Sequence, residues 1–272
     1  MEAAIFDLDK TLLPGSSLFP LAREMYRQKY FGLRDIGRLA ADQLRYRLIG
    51  AEARGPMDRA RQATLEVIRG RAREEVIAFG RSVAREEILP RLYPQAVDLL
   101  ARHKRGGRAV FIASSSPQDY LELLAEELGI DGVIGTRAEV IDGFYTGNLD
   151  GPVIHGPEKA ARVREVALAR GIDLDRSFGY SDSINDLPLL ELVGHPVAMN
   201  PDRPLRTMAR RRGWQILDFR TARRRTLIAS AAGAGAAASG AVGYAVGYLV
   251  GRRRSLSRSG VLLGSVRELG AG

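Results

Sequence analysis

The segment AAIFDLDKT, residues 3–11, indicates the architecture of the chain more directly than any other stretch. Its apolar part, Ala3–Phe6, is too short for a buried helix and stops at Asp7, which is typical of a central parallel strand. Amphipathic helices alternate with further predicted strands at residues 109–117, 133–134, 177–180, 196–199 and 214–217, and with a predicted hairpin at residues 139–148. This alternation predicts an α/β protein with a doubly wound parallel sheet.

The alternation is interrupted directly after the first strand. Residues 16–89 are rich in arginine and carry apolar residues at helical spacing, until Pro90 and Pro94 end the pattern. We therefore predict a helical insertion at residues 16–89, within a core formed by residues 1–15 and 90–220.

The composition excludes several kinds of site. The 272 residues include no cysteine, so disulfides, thiolate zinc sites, iron–sulfur clusters and cysteine nucleophiles are excluded. The three histidines, His103, His155 and His195, lack the spacing of metal ligands, and we expect each to be a loop or surface residue. The net charge of +9 comes from residues 201–272, which hold 14 arginines and three acidic residues.

The basic C-terminal region contains an apolar segment between clusters of arginines. Residues 226–251 carry no charge and, as a helix, would be longer than the hydrocarbon core of a bilayer is thick. Arginines at 223–225 and 252–254 flank this segment. We predict a single-pass transmembrane helix at residues 226–251 in the cell membrane, with the preceding domain in the cytoplasm, and a disordered tail at residues 255–272.

Other interpretations of this segment remain open. Its alanines and glycines are also compatible with a flexible linker, which would leave a cytoplasmic protein, or with a helix that lies on the membrane surface. Glycines recur every four residues, at Gly243, Gly247 and Gly251, so a membrane helix could self-associate through this face. Binding to nucleic acid is not favoured, because the arginines bracket an apolar run and are not interleaved with aromatic residues.

Polar side chains follow three of the predicted strands. Asp7 and Asp9 lie on the same side of the chain after the first strand, and Asp182 follows another strand. Carboxylates this close repel each other unless a cation is present, and a hard cation such as Mg²⁺ suits them. Ser114 and Lys159 are suited to binding phosphate. A metal ion together with these residues favours phosphoryl chemistry.

Four motifs occur in the order expected of one enzyme family. They are DLDKT (residues 7–11), VFIAS ending at Ser114, HGPEK containing Lys159, and SDSIND (residues 181–186). Together they resemble the motifs of haloacid dehalogenase-superfamily phosphatases, in the branch similar to phosphoserine phosphatases. The helical insertion resembles the cap of that branch. The match covers residues 3–219, with Ser181 where glycine often stands.

The resemblance implies a role for each motif residue. Asp7 would be the nucleophile and Asp9 the general acid and base. Thr11, Ser114, Lys159 and Asn185 would bind phosphate or substrate. The implied Mg²⁺ site consists of Asp7, the backbone carbonyl of Asp9, Asp182 and the supporting Asp186.

Purely structural roles, or a neighbouring residue in the same role, remain alternatives for several of these residues. Ser115 or Ser116 could bind phosphate in place of Ser114. Lys159 could be a surface lysine. Asp7 and Asp9 could cap a helix or turn, and Asp182 and Asp186 could cap a helix.

These observations favour a membrane-tethered, Mg²⁺-dependent phosphatase that acts through an aspartyl-phosphate, with a lipid head group as a plausible substrate. The alternatives are a soluble phosphatase of small metabolites, similar to phosphoserine phosphatase, and a non-catalytic membrane interaction protein. Phosphoserine phosphatases usually carry a glutamate shortly after the first motif. Residues 12–19 contain no acid, and Ser16 or Ser17 stands near that place, so L-phosphoserine is disfavoured.

Overall fold

The computed structural model describes residues 1–29 and 64–220. Part of the predicted helical insertion lies outside the described residues. The predicted transmembrane helix at residues 226–251 and the predicted tail at residues 255–272 also lie outside them.

Six parallel strands form the central sheet, in the order β3-β2-β1-β6-β7-β8. The strands are β1 (Ala3–Phe6), β2 (Ala109–Pro117), β3 (Gly132–Thr136), β6 (Phe178–Ser181), β7 (His195–Met199) and β8 (Gln215–Leu217). The predicted parallel sheet is therefore confirmed. Because β1 lies between β2 and β6, the residues that follow these three strands meet at one edge of the sheet.

Helices cover both faces of the sheet, as the doubly wound pattern requires. The helices are α1 (Leu18–Arg27), α2 (Arg73–Val83), α3 (Pro94–Arg105), α4 (Gln118–Leu128), α5 (Pro157–Arg170), α6 (Leu187–Leu192) and α7 (Arg203–Arg212). Ala4 and Phe6 face a core shared with α3 and α4, whereas Ala3 and Ile5 face a second core shared with α5 and α6. All four side chains of β1 are buried, which explains why its sequence is apolar without alternation.

The predicted hairpin consists of β4 (Ala138–Ile141) and β5 (Phe144–Leu149), joined by Asp142 and Gly143 with φ of 50° and 83°. It does not join the central sheet. Tyr145 of β5 instead packs in one apolar cluster with residues of α1 and α2, such as Met25 and Phe79. A two-stranded hairpin is too small to be stable alone, and the helices of the insertion supply the apolar surface it needs.

His103 differs from the sequence prediction, because it is buried rather than at the surface. It lies on α3, and its Nε2 atom is 2.7 Å from the hydroxyl of Tyr180, whose ring stacks on Phe6. Its Nδ1 atom has no hydrogen-bond partner among the residues that the structure describes. Burial, together with Arg108 and Arg102, lowers the pKa of His103 to about 4.

This buried histidine is expected to make the fold sensitive to acid. The pKa of His103 is lower in the folded chain than in the unfolded chain. The contribution of neutral His103 to the free energy of unfolding is therefore complete above about pH 6.5 and is lost as the pH falls towards 4. Between pH 7 and pH 4.5 the wild type should lose about 2 kcal/mol through this group. In urea unfolding at both pH values, His103→Gln should lack this loss, whereas exposed His155→Gln should retain it. Equal losses in wild type and His103→Gln would contradict the assignment.

Candidate active site

The strand-end residues predicted from sequence come together at one edge of the sheet. Asp7 follows β1, Asp182 follows β6, and Ser114 lies near the carboxyl end of β2. All three are buried, with exposed fractions of 7%, 8% and 2%, respectively. Buried carboxylates need partners, and the surrounding residues supply them.

Lys159 connects two of the carboxylates. It lies in the first turn of α5, and its Nζ atom donates to Oδ1 of Asp7 at 2.9 Å and to Oδ2 of Asp186 at 2.8 Å. The lysine is 2% exposed, so it is not a surface residue. Burial alone would lower the pKa of Lys159, but Asp7 and Asp186 raise it above its ordinary value, and the lysine stays charged.

The Thr11 hydroxyl, which was predicted to bind phosphate, contacts two carboxylates in this structure. Its hydroxyl donates to Oδ2 of Asp7 at 3.1 Å and lies 3.5 Å from Oδ1 of Asp182. The residue is fully buried. Thr11 and Lys159 together hold both oxygens of the Asp7 carboxylate.

Asp9 contacts the first residues of the predicted helical insertion. Its carboxylate accepts a hydrogen bond from the Ser16 hydroxyl at 2.8 Å and another from the Ser17 backbone N–H at 2.9 Å. Ser17 directly precedes α1, so the first helix of the insertion holds the carboxylate of Asp9 in place.

The serine run leaves the choice of phosphate ligand open. Ser114 and Ser116 are both buried, and their hydroxyl oxygens lie 3.3 Å apart. Ser116 also lies 3.2 Å from the hydroxyl of Ser17, which connects this run to the start of α1. Asn185 is exposed beside the site, so its side chain faces solvent.

The charges of the site suit a divalent cation. Burial raises the pKa of Asp182 to about 6, and it also raises the pKa of Asp7, although Lys159 opposes this rise. Lys159 contacts Asp7 and Asp186, and Asp182 is a third buried carboxylate at the same edge of the sheet. Carboxylate oxygens are the ligands that Mg²⁺ prefers. No three acidic or histidine side chains in the described ranges 1–29 and 64–220 converge as a metal site would require. The predicted Mg²⁺ site therefore stays a prediction.

Sequence reasoning missed Asn200, which organises the loop after Asp9. Asn200 follows β7, is 1% exposed, and donates from Nδ2 to the carbonyl oxygens of Lys10 and Thr11 at 3.1 and 3.2 Å. It has a φ of 52°, a conformation that asparagine tolerates better than most residues. A polar residue at the end of a fourth strand was the signal that could have identified it.

The fold and the site define a class of hydrolase, and comparison with known proteins agrees. The family model described as haloacid dehalogenase-like hydrolase matches residues 4–191. The chain belongs to this family, which confirms the resemblance seen in its motifs.

Individual relatives narrow the class further. The chain is 39% identical over 236 residues to a Mycobacterium tuberculosis protein named phosphoserine phosphatase SerB1, covering 86% of this chain and 77% of that protein. It is 32% identical over 221 residues to a protein named histidinol-phosphatase from Neisseria meningitidis, covering 80% of this chain and 98% of that protein. With these phosphatase relatives and the family match, the chain is a phosphoric monoester hydrolase.

Solved structures agree with the fold. A Bordetella pertussis protein of unknown function matches with a TM-score of 0.69 and 32% identity, covering 80% of this chain and 98% of that one. A phosphoserine phosphatase in its apo form matches with a TM-score of 0.53 and 18% identity, covering 80% of this chain and 94% of that one. The second match supports the fold alone.

The predicted location in the cell membrane is wrong. Within residues 1–29 and 64–220, no helix combines the length and the apolarity that crossing a bilayer requires. Two relatives that match most of the chain are named phosphoserine phosphatase and histidinol-phosphatase. The hypothesis of a lipid-head substrate depended on that location and loses its basis.

Proposed function

We propose that this chain is a Mg²⁺-dependent phosphatase that hydrolyses a small phosphomonoester through an aspartyl-phosphate on Asp7. The observation that carries the proposal is the environment of Asp7 at the end of the central strand. One of its carboxylate oxygens accepts from Lys159 and the other from Thr11. These bonds orient the carboxylate, and the ammonium of Lys159 favours its ionised form, which is the form that a nucleophile needs.

In the first step, a carboxylate oxygen of Asp7 attacks the phosphorus atom, and the bond between phosphorus and the alcohol oxygen breaks. Asp9 donates a proton to that oxygen as it leaves. The half-buried position of Asp9, at the start of α1, suits a group that exchanges protons with substrate and water. Lys159 offsets the negative charge that gathers around Asp7.

In the second step, Asp9 takes a proton from a water molecule that attacks the phosphorus atom of the aspartyl-phosphate. The bond between phosphorus and the Asp7 oxygen breaks, which releases inorganic phosphate and restores the carboxylate. One carboxylate thus serves as acid and then as base, and each step balances its protons.

The residues that would hold Mg²⁺ are Asp7, Asp182 and the backbone carbonyl of Asp9, with Asp186 supporting them. The ion would neutralise charge on the phosphoryl oxygens. The raised pKa values of Asp7 and Asp182 support this part of the proposal, because a cation would relieve the cost of keeping both carboxylates charged.

The proposed substrate class is a small phosphate monoester that carries an amine. Phosphoserine and histidinol phosphate, the compounds in the names of two relatives, are both of this class. The chain lacks an acid at residues 12–19, where an amine could be met, and the Ser16 hydroxyl is already bonded to Asp9. Because both compounds carry an amine, this absence does not choose between them, and we propose phosphoserine and histidinol phosphate as alternative substrates of one class.

Phosphate release by the full chain tests this proposal. The panel contains histidinol phosphate, phosphoserine, a sugar phosphate, a nucleotide and a short-chain lipid phosphate, each with Mg²⁺ and with a chelator. We expect histidinol phosphate or phosphoserine to have a kcat/KM at least about tenfold above that of the sugar phosphate, the nucleotide and the lipid phosphate. A few substrate contacts can supply a preference of this size. The chelator should abolish turnover. Preference for the sugar phosphate, nucleotide or lipid would reject the substrate class, and turnover that survives the chelator would reject the metal.

A further inference from the structure

Ser181, the last residue of β6, makes a buried hydrogen bond to one of the site carboxylates. The residue is fully buried, and its hydroxyl donates to Oδ2 of Asp186 at 2.7 Å. The backbone N–H of Ser183 in turn donates to the Ser181 hydroxyl oxygen at 3.3 Å. The Ser183 N–H can only donate, so the hydroxyl proton of Ser181 is left for the Asp186 carboxylate.

The Asp186 oxygen that Ser181 contacts is also the one that contacts Lys159. Lys159 lies 2.8 Å from this oxygen and 2.9 Å from Oδ1 of Asp7. A chain of three hydrogen bonds therefore runs from Ser181 through Asp186 and Lys159 to Asp7. Every member of the chain is at most 7% exposed, so water does not screen these interactions.

The lysine is shared almost equally between two carboxylates, and Ser181 affects that balance. The Ser181 hydroxyl offsets part of the negative charge on Oδ2 of Asp186. Without this hydroxyl, the same oxygen would interact with Lys159 alone and attract the ammonium more strongly. Lys159 would then move towards Asp186 and hold Asp7 less well, since attraction between buried charges is strong.

We propose that Ser181 is a positioning residue that keeps Lys159 shared between Asp186 and Asp7, and so orients the Asp7 carboxylate for attack. This inference rests on the proposed role of Asp7 as the nucleophile. Ser181 touches neither substrate nor phosphorus and acts only through Asp186 and Lys159. Its removal should therefore lower kcat and leave KM unchanged.

The chain offers a matched control in Ser177, which directly precedes the same strand. Ser177 is also fully buried, its hydroxyl oxygen accepts from the Ala3 backbone N–H at 2.9 Å, and its hydroxyl donates to the Asp173 carbonyl. It lies at the opposite end of β6 from the site. Ser177→Ala removes a buried serine hydroxyl without touching the Asp186–Lys159–Asp7 chain.

The test compares full-length Ser181→Ala, Ser181→Gly, Ser181→Thr and Ser177→Ala with wild type. Each protein is assayed with p-nitrophenyl phosphate and histidinol phosphate across a Mg²⁺ titration, and its melting temperature is measured. We expect kcat to fall about 10- to 100-fold in the alanine and glycine variants of Ser181. This is the usual effect of losing a residue that hydrogen-bonds to a site residue and orients it. KM and the Mg²⁺ concentration for half-maximal activity should not change. Ser181→Thr, which keeps a hydroxyl, should recover most of the activity.

Ser177→Ala should lower the melting temperature and keep the wild-type kcat. The inference is overturned if Ser181→Ala keeps its kcat as Ser177→Ala does, or if saturating Mg²⁺ restores it, because Ser181 would then act through the metal site. An Asp7→Asn sample separates failure of this inference from failure of the proposed function. If wild type is inactive, or if Asp7→Asn is as active as wild type, the proposed function itself has failed and the inference falls with it.

Discussion

Asp7→Asn is expected to lower kcat by at least about a thousandfold, because an amide oxygen does not replace a carboxylate as a nucleophile. The fold should tolerate the change. Asparagine has nearly the same volume, Lys159 keeps its bond to Asp186, and the Thr11 hydroxyl can donate to the amide oxygen. The measurement is phosphate release under saturating substrate, together with the melting temperature.

A matched aspartate-to-asparagine variant serves as the control. Asp142 lies in the turn of the hairpin with a φ of 50°, which asparagine also adopts readily, so Asp142→Asn should keep both fold and activity. If Asp7→Asn retained more than about a tenth of the wild-type kcat, a loss far below that expected for a nucleophile, another residue would have to attack phosphorus.

Lys159→Met is expected to cause the largest loss of stability. The variant leaves the carboxylates of Asp7 and Asp186 buried without the ammonium that contacts both of them. Breaking a buried ion pair by removing one partner typically costs about 3–5 kcal/mol. We expect a loss of this size at pH 8 in urea unfolding without added metal, and the variant should also lose turnover.

The pH dependence of this loss has a defined sign. Without the lysine, burial and mutual repulsion raise the pKa of Asp7 further above its unfolded value. Protonation then relieves the repulsion, so the difference between variant and wild type should be greatest at pH 8 and smaller at pH 5. Exposed Lys104→Met is the control and should cost under about 1 kcal/mol at both pH values. An equally small and pH-independent loss in Lys159→Met would show that the ion pairs do not stabilise the fold.

The sequence was most informative where the chemistry follows from strand ends. Apolar runs in the sequence predict β1, β2 and β6. The rule that ligands bind at the carboxyl ends of parallel strands then predicts that Asp7, Ser114 and Asp182 lie close together. That argument needs only the order of elements along the chain. It does not need the packing of one helix against another.

Residues whose roles depend on packing were not predictable in this way. The bonds of Asp9 to Ser16 and Ser17 depend on where α1 begins over the sheet. The burial of His103 depends on which face of α3 meets Tyr180. Asn200 acts on the backbone of Lys10 and Thr11, which are 190 and 189 residues away in sequence.

The wrong prediction of location has a different cause. It depended on 26 uncharged residues between arginines, a stretch that is mostly alanine, glycine and serine. Such residues are only weakly apolar, and a membrane-spanning helix needs strongly apolar residues as well as the absence of charge.

The central claim is that Asp7 itself carries the phosphoryl group during turnover. The direct measurement is rapid acid quenching of the full chain during turnover with Mg²⁺, followed by mass spectrometry of the peptide that contains Asp7. Our account predicts the added mass of one phosphoryl group on Asp7 in wild type and none in Asp7→Asn. A phosphoryl group found on another residue, with Asp7 unmodified during active turnover, would contradict it.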